Sequence, residues 1–88
     1  MQASIEISLY PLAEDQFKAE VWSFIRKLRA VEQLTVVTNG MSTQVFGEYD
    51  LTVTTVMQAI KEVHQALGSA VFVCKFIGGD CREPEAEI

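Results

Sequence analysis

An α+β sandwich, with two helices on one face of a four-stranded antiparallel sheet, is the fold class this sequence predicts. Three observations carry the prediction. Apolar residues alternate in four short runs, recur every three to four positions in two longer ones, and the runs follow the order strand, helix, strand, strand, helix, strand.

Ser4 to Tyr10 sets Ile5, Ile7 and Leu9 on one side and Ser4, Glu6, Ser8 and Tyr10 on the other, the period of a half-buried strand, and Pro11 ends it. Phe17, Val21, Phe24 and Leu28 then step by four, three and four with Ile25 beside them, which predicts a helix from about Asp15 to Val31. Glu14 and Asp15 at its start and Arg26, Lys27 and Arg29 at its end suit the helix dipole. Leu34 to Thr38 and Ser42 to Tyr49 are rich in strand formers, and Asn39-Gly40 between them predicts a tight hairpin turn with positive φ angles. Asp50 is the expected N-cap of a second helix whose apolar positions are Val53, Val56, Met57, Ile60, Val63 and Leu67, with Gly68 as its terminator. Ala70 to Ile77 is the last strand, Val71, Val73, Lys75 and Ile77 on one face and Phe72, Cys74 and Phe76 on the other. Residues 1–79 thus form one domain, and the acidic stretch 80–88 after Gly78-Gly79 is expected to be a flexible tail.

With right-handed crossovers this order is the ferredoxin-like split βαβ arrangement. The first and third strands are then central, both helices cover one face, and the other face is open. Whichever set of last-strand residues lies on that face, it is too apolar for water, so a second copy of the chain is the expected cover, giving a homodimer or homotetramer.

Composition narrows the function. The 88 residues are 49% hydrophobic and 22% charged, enough apolar mass for one core, and the net charge of -5 disfavours DNA and RNA, whose phosphates need clustered cations. The opening "MQASIEISLY" has neither the basic start nor the apolar run of a secretory signal, and no stretch is long enough to span a membrane, so a cytoplasmic protein without membrane insertion is expected. Cys74 and Cys81 are too few and too ill-spaced for a disulfide framework or a zinc site and read as free thiols.

The topology gathers the loop Tyr10 to Asp15, the turn Asn39 to Met41 and Gly68-Ser69 at one end of the sheet, so Ser8, Tyr10, Asn39, Ser42 and Thr43 lie near one edge. Gly47 to Asp50 fall at the opposite end, where Glu48 and Asp50 read as a strand end and a helix cap. A Cys-x-x-Cys metal loop, exposed aromatics in a basic field for RNA, and a phosphate-cradling Arg in the first loop are all missing, which removes copper transport, RNA recognition and phosphoryl chemistry. His64, the sole imidazole, borders the second helix's apolar stripe and has no nucleophile with a claim on it; an enzyme reading would rest on it alone. Trp22 flanks the first helix's stripe as core, subunit contact or ligand platform. Glu6, on the open face of a central strand, must be wet, paired across an interface, or facing a cationic ligand. Met41 is a turn residue, gap filler or ligand contact.

The stretch "TNGMSTQVFGEYD", Thr38 to Asp50, with the helix opening "LTVTTVMQAI" behind it and "ISLYPL", Ile7 to Leu12, ahead of it, resembles the thiamine-binding, YKOF-related family of ferredoxin-like proteins. The likeness runs from Ala3 to about Gly79, and its "MST-x-V-x-G-E" core is distinctive because Gly47 and the small Ser42 and Thr43 are unusual inside a strand. It implies a non-catalytic binder of thiamine or its hydroxymethylpyrimidine moiety, in thiamine salvage or transport, with no cofactor. Asn39, Met41, Ser42 and Thr43 are ligand contacts by the motif, and Ser8 and Tyr10 by the loop geometry. Tyr10 or Phe46 is the expected stacking aromatic, and Glu6 a partner for the thiazolium cation. Two-repeat members exist, so this single repeat implies pairing of copies. The competing reading is a protein-interaction or regulatory module that uses the apolar sheet face and binds no small molecule.

Overall fold

The computed structural model describes residues 1–12 and 17–82. Its elements are β1 (Gln2–Pro11), α1 (Phe17–Arg29), β2 (Thr35–Thr38), β3 (Thr43–Glu48), α2 (Tyr49–Leu67) and β4 (Ala70–Gly78). The sheet is antiparallel in the order β2-β3-β1-β4, so the first and third strands are central and the fold is the ferredoxin-like α+β sandwich. Glu14 and Asp15, at the expected start of the first helix, lie outside the described residues.

The alternation in β1 has the predicted consequence. Ile5 and Ile7 are 1% exposed, facing Phe24, Ile25 and Leu28 of α1 and Val56, Ala59, Ile60 and Val63 of α2, with Val45 of β3 between them. Register settles the ambiguity of β4: Phe72, Cys74 and Phe76 lie opposite Leu9, Ile7 and Ile5 on the helix side, while Val71, Val73, Lys75 and Ile77 share the open face with Tyr10, Ser8, Glu6 and Ser4. Burial under the helices pushes the Cys74 thiol up from its ordinary value. On the open face Val37, Val71, Val73 and Ile77 stay between 41% and 52% exposed.

Two local expectations change. The hairpin between β2 and β3 is present, but neither Asn39 nor Gly40 has a positive φ, so the turn lacks the left-handed backbone expected of it. It is closed by Asn39 N–H donating to Ser42 C=O at 3.1 Å, and the Asn39 side chain shapes it by accepting from the N–H groups of Met41 and Ser42 at 2.8 and 3.2 Å. The N-cap of α2 is Glu48, not Asp50, because the helix follows β3 without a loop; its carboxylate accepts from Asp50 N–H and Leu51 N–H. Gly68 terminates α2 as expected, with φ 75° and its N–H on His64 C=O.

Those two N–H donors hold the Glu48 carboxyl below the usual carboxylate range. A depressed folded-state pKa stabilises at pH values above the unfolded pKa, and the contribution disappears as pH falls through the folded value. Glu48→Gln is therefore expected to be less stable than the parent at neutral pH and to converge with it in acid, as denaturant titrations across pH will show.

The abrupt entry into α2 lays its first turn on Gly47, and Thr52 is fully buried there with no hydrogen-bond partner for its Oγ1. A buried orphan hydroxyl is unfavourable, so Thr52→Val, similar in shape, is expected to raise stability by about 1 kcal/mol in urea unfolding.

The segment expected to begin a loose tail is docked as far as Arg82. Ser4 Oγ donates to Gly79 C=O at 2.8 Å and accepts from Cys81 N–H at 2.9 Å, and Arg82 lies over the Phe46 ring and donates to Thr35 Oγ1. The guanidinium also holds Asp80 in an ion pair that keeps its carboxyl below the ordinary value. Residues 83–88 lie outside the described residues.

Candidate functional site

β1 outruns β3. Its pairing with β3 stops at Ile7↔Thr43, whereas its pairing with β4 continues to Pro11↔Ala70. Past Ile7 the strand therefore has an empty flank, and a cavity of about 250 Å³ opens there between β1, α1 and the β2–β3 turn. Ser8, Tyr10, Asn39, Met41, Ser42 and Thr43, the six residues singled out from the sequence, all line it.

Alternation distributes their roles. Ile7, Leu9, Thr38 and Thr43 approach from the helix side, with Val21, Phe24 and Ile25 of α1 as an apolar wall. The Thr38 and Thr43 hydroxyls bond each other at 2.8 Å across the hairpin, fixing the floor below the turn. Ser8, Tyr10 and Ser42 belong to the open-face side, and Tyr10 is 56% exposed, free to swing over a flat ligand. Asn39 presents its side chain to its own turn, and the Met41 side chain stands 89% exposed beside it.

Sequence reasoning missed one contributor, the main chain of Leu9. Gly79 N–H donates to Gln2 C=O and Leu12 N–H to Ser69 C=O, so even-numbered β1 residues bond to β4; Tyr49 N–H donates to Met1 C=O, so odd-numbered ones bond toward β3. Leu9 is odd and has no β3 residue opposite. Its N–H and C=O face the cavity without a partner among the described residues.

No carboxylate, ammonium or imidazole lines this cavity among the described residues. Glu6 stands behind one of the lining residues: Ser42 Oγ donates to Glu6 Oε2 at 3.1 Å, and Lys75 Nζ sits 3.3 Å from Glu6 Oε1. Glu6 is thus paired inside its own chain by a cross-strand lysine. A neighbouring hollow of about 340 Å³, lined by Lys18, Val21, Trp22, Ile25, Thr38 and Asn39, shares one wall with the first and accounts for the exposure of Trp22. Phe46 is elsewhere: it is 6% exposed on the open face beneath Arg82 and does not reach the cavity. His64 also stands apart, its Nε2 bonded to Ala70 C=O at 3.0 Å and its ring edge-on to Phe72, tying the end of α2 to the start of β4. No helix is long and apolar enough to cross a membrane among the described residues.

The fold is a ferredoxin-like α+β domain with a strand-flanked cavity whose lining is uncharged among the described residues. No protein-family model matches the chain, and no curated protein is significantly similar to it. Solved structures share its fold. A Streptococcus pneumoniae protein superposes with a TM-score of 0.83 at 23% identity, covering 97% of this chain and 94% of its own. A Thermotoga maritima protein named as a candidate for thiamine biosynthesis or salvage gives 0.77 at 16% identity over 90% of this chain and 85% of its own. A Bacillus cereus domain of unknown function gives 0.68 at 17% identity, covering 100% of this chain and 82% of its own.

Proposed function

We propose that this protein is a non-catalytic, cytoplasmic binder of thiamine or its hydroxymethylpyrimidine moiety, a relative of the thiamine-binding, YKOF-related proteins that acts in thiamine salvage or transport. One observation carries the reading: among the described residues, the N–H and C=O of Leu9 have no partner and stand beside short hydroxyls in a cavity without a charged lining. An aminopyrimidine edge offers ring acceptors and an exocyclic donor to such groups, and Tyr10 supplies the stacking face. With no charge on the lining among the described residues, the cavity favours the neutral pyrimidine half over the thiazolium. The cation then lies toward solvent, in the field of a chain carrying a net charge of -5. The Thermotoga maritima neighbour supports the ligand class. The apolar open face meets a second copy in this reading, giving a dimer or tetramer.

Thermal-shift and calorimetric titrations with thiamine, its phosphates and hydroxymethylpyrimidine test the proposal. Ligand at 100 times its dissociation constant should stabilise the fold by about 2.7 kcal/mol. No shift with any of them at millimolar concentration would sink it. Ser42→Ala combined with Thr43→Val is expected to weaken binding about ten-fold, or roughly 1.4 kcal/mol, with the oligomer unchanged. Unaltered affinity would remove both hydroxyls from the site.

A further inference from the structure

Ser42 differs from the other hydroxyls of the cavity in having its hydrogen already committed. A serine hydroxyl carries one hydrogen and two lone pairs. Ser42 Oγ gives that hydrogen to Glu6 Oε2 at 3.1 Å, and Glu6, a carboxylate with Lys75 Nζ at 3.3 Å from its Oε1, can only accept. Lone pairs are all that Ser42 Oγ has left for a molecule in the cavity it lines. The Ser8 and Tyr10 hydroxyls are unbonded among the described residues and turn to suit either kind of partner. The Thr38 and Thr43 hydroxyls share one hydrogen and keep the other, so that pair also stays adaptable. The polarity of Ser42 is therefore set from behind the cavity wall, by an ion pair on the open face.

We propose that Glu6 is a positioning residue that makes the cavity select pyrimidine rings with an exocyclic amino group over the same rings with an oxo group. Such selection rests on the cavity being a pyrimidine site, and it follows from counting hydrogens. An aminopyrimidine edge has a ring nitrogen that accepts and an amino group with two hydrogens. The Leu9 peptide donates to the first and accepts from the second, which leaves one amino N–H over. The oxo counterpart is a lactam with one ring N–H and one carbonyl. Turned over, it satisfies the Leu9 peptide equally well, but it has no hydrogen left to give. Ser42 then accepts the spare amino hydrogen in the first case and meets only lone pairs in the second. Leu9 holds either ring, and Ser42, fixed by Glu6, chooses between them.

Calorimetric titration of two matched pairs tests the assignment: hydroxymethylpyrimidine against its 4-oxo analogue, and thiamine against oxythiamine. The parent chain is expected to bind the amino member of each pair about 30-fold more tightly, the effect of leaving one acceptor unmatched. In Glu6→Ala the Ser42 hydroxyl is released to donate or accept, and the ratio should approach unity. Glu6→Gln goes further. Lys75 keeps the amide oxygen where it held Oε1, which turns the amide N–H toward Ser42 and the Ser42 hydrogen into the cavity, so the 4-oxo members should now bind more tightly. The Glu6 side chain is 37% exposed, so both variants are expected to fold. Ser42→Ala, which deletes the oxygen itself, should also level each pair and gives a second route to the same result. A purely structural role for Glu6 would weaken both members alike and keep their ratio at the parent value, which overturns the proposal. A parent chain that binds amino and oxo members equally overturns it too, while leaving the pyrimidine-binding reading intact. Failure to bind any of the four ligands overturns both.

Discussion

Gly47→Ala is expected to destabilise the domain by about 3 kcal/mol, the upper range for overpacking a closed site. The backbone conformation is not the reason, since Gly47 has no positive φ. Space is: a Cβ there would lie 2.6 Å from Leu34 Cδ2 and 2.8 Å from Thr52 Oγ1. Leu34 can rotate away, but Thr52 sits in the first turn of α2, which begins directly after the strand and has no slack. Thr52→Ala should therefore rescue much of the loss, and the non-additivity of the two changes in a double-mutant cycle, measured by urea unfolding, identifies the contact. Equal, additive losses would place the strain elsewhere.

Leu28→Ala is expected to cost about 4 kcal/mol, more than Ile7→Ala at about 2.5 kcal/mol, although both side chains are essentially unexposed. Leu28 is enclosed by both helices and the sheet, so its removal leaves a void that no neighbour fills. Ile7 forms part of the cavity wall, and shortening it enlarges a space that water already reaches. Chemical denaturation ranks the two directly. The same pair separates stability from function: Leu28→Ala should leave ligand affinity nearly unchanged at temperatures where it is folded, while Ile7→Ala alters the shape of the binding cavity.

The six elements were legible because strands and helices print different apolar periods, and the central position of β1 follows from connection rules alone. What failed was local. Asn39-Gly40 does mark the hairpin, but the asparagine acts through its side-chain oxygen instead of through a left-handed backbone, a choice that composition does not distinguish. By residue type Asp50 is the better cap, and the absence of a loop after β3 puts Glu48 in that position instead. In β4 both alternating sets are apolar, so pairing register with β1 had to assign the faces. The candidate site shows the same division. Its six side chains converge because the topology brings the far end of β1 and the turn between β2 and β3 to one end of the sheet. The Leu9 peptide was invisible because its availability arises from the unequal lengths of two neighbouring strands, which no side chain records. Phe46 was misplaced for a related reason, its burial depending on the return of Arg82 across the open face.

The hydroxyl of Ser4, clasping Gly79 and Cys81 at once, draws residues from the beginning and the end of the sheet to the pole farthest from the Tyr10–Asn39 mouth. An affinity tag or a surface tether fused at Met1 would accordingly hang from the rear of the molecule and leave the mouth unobstructed.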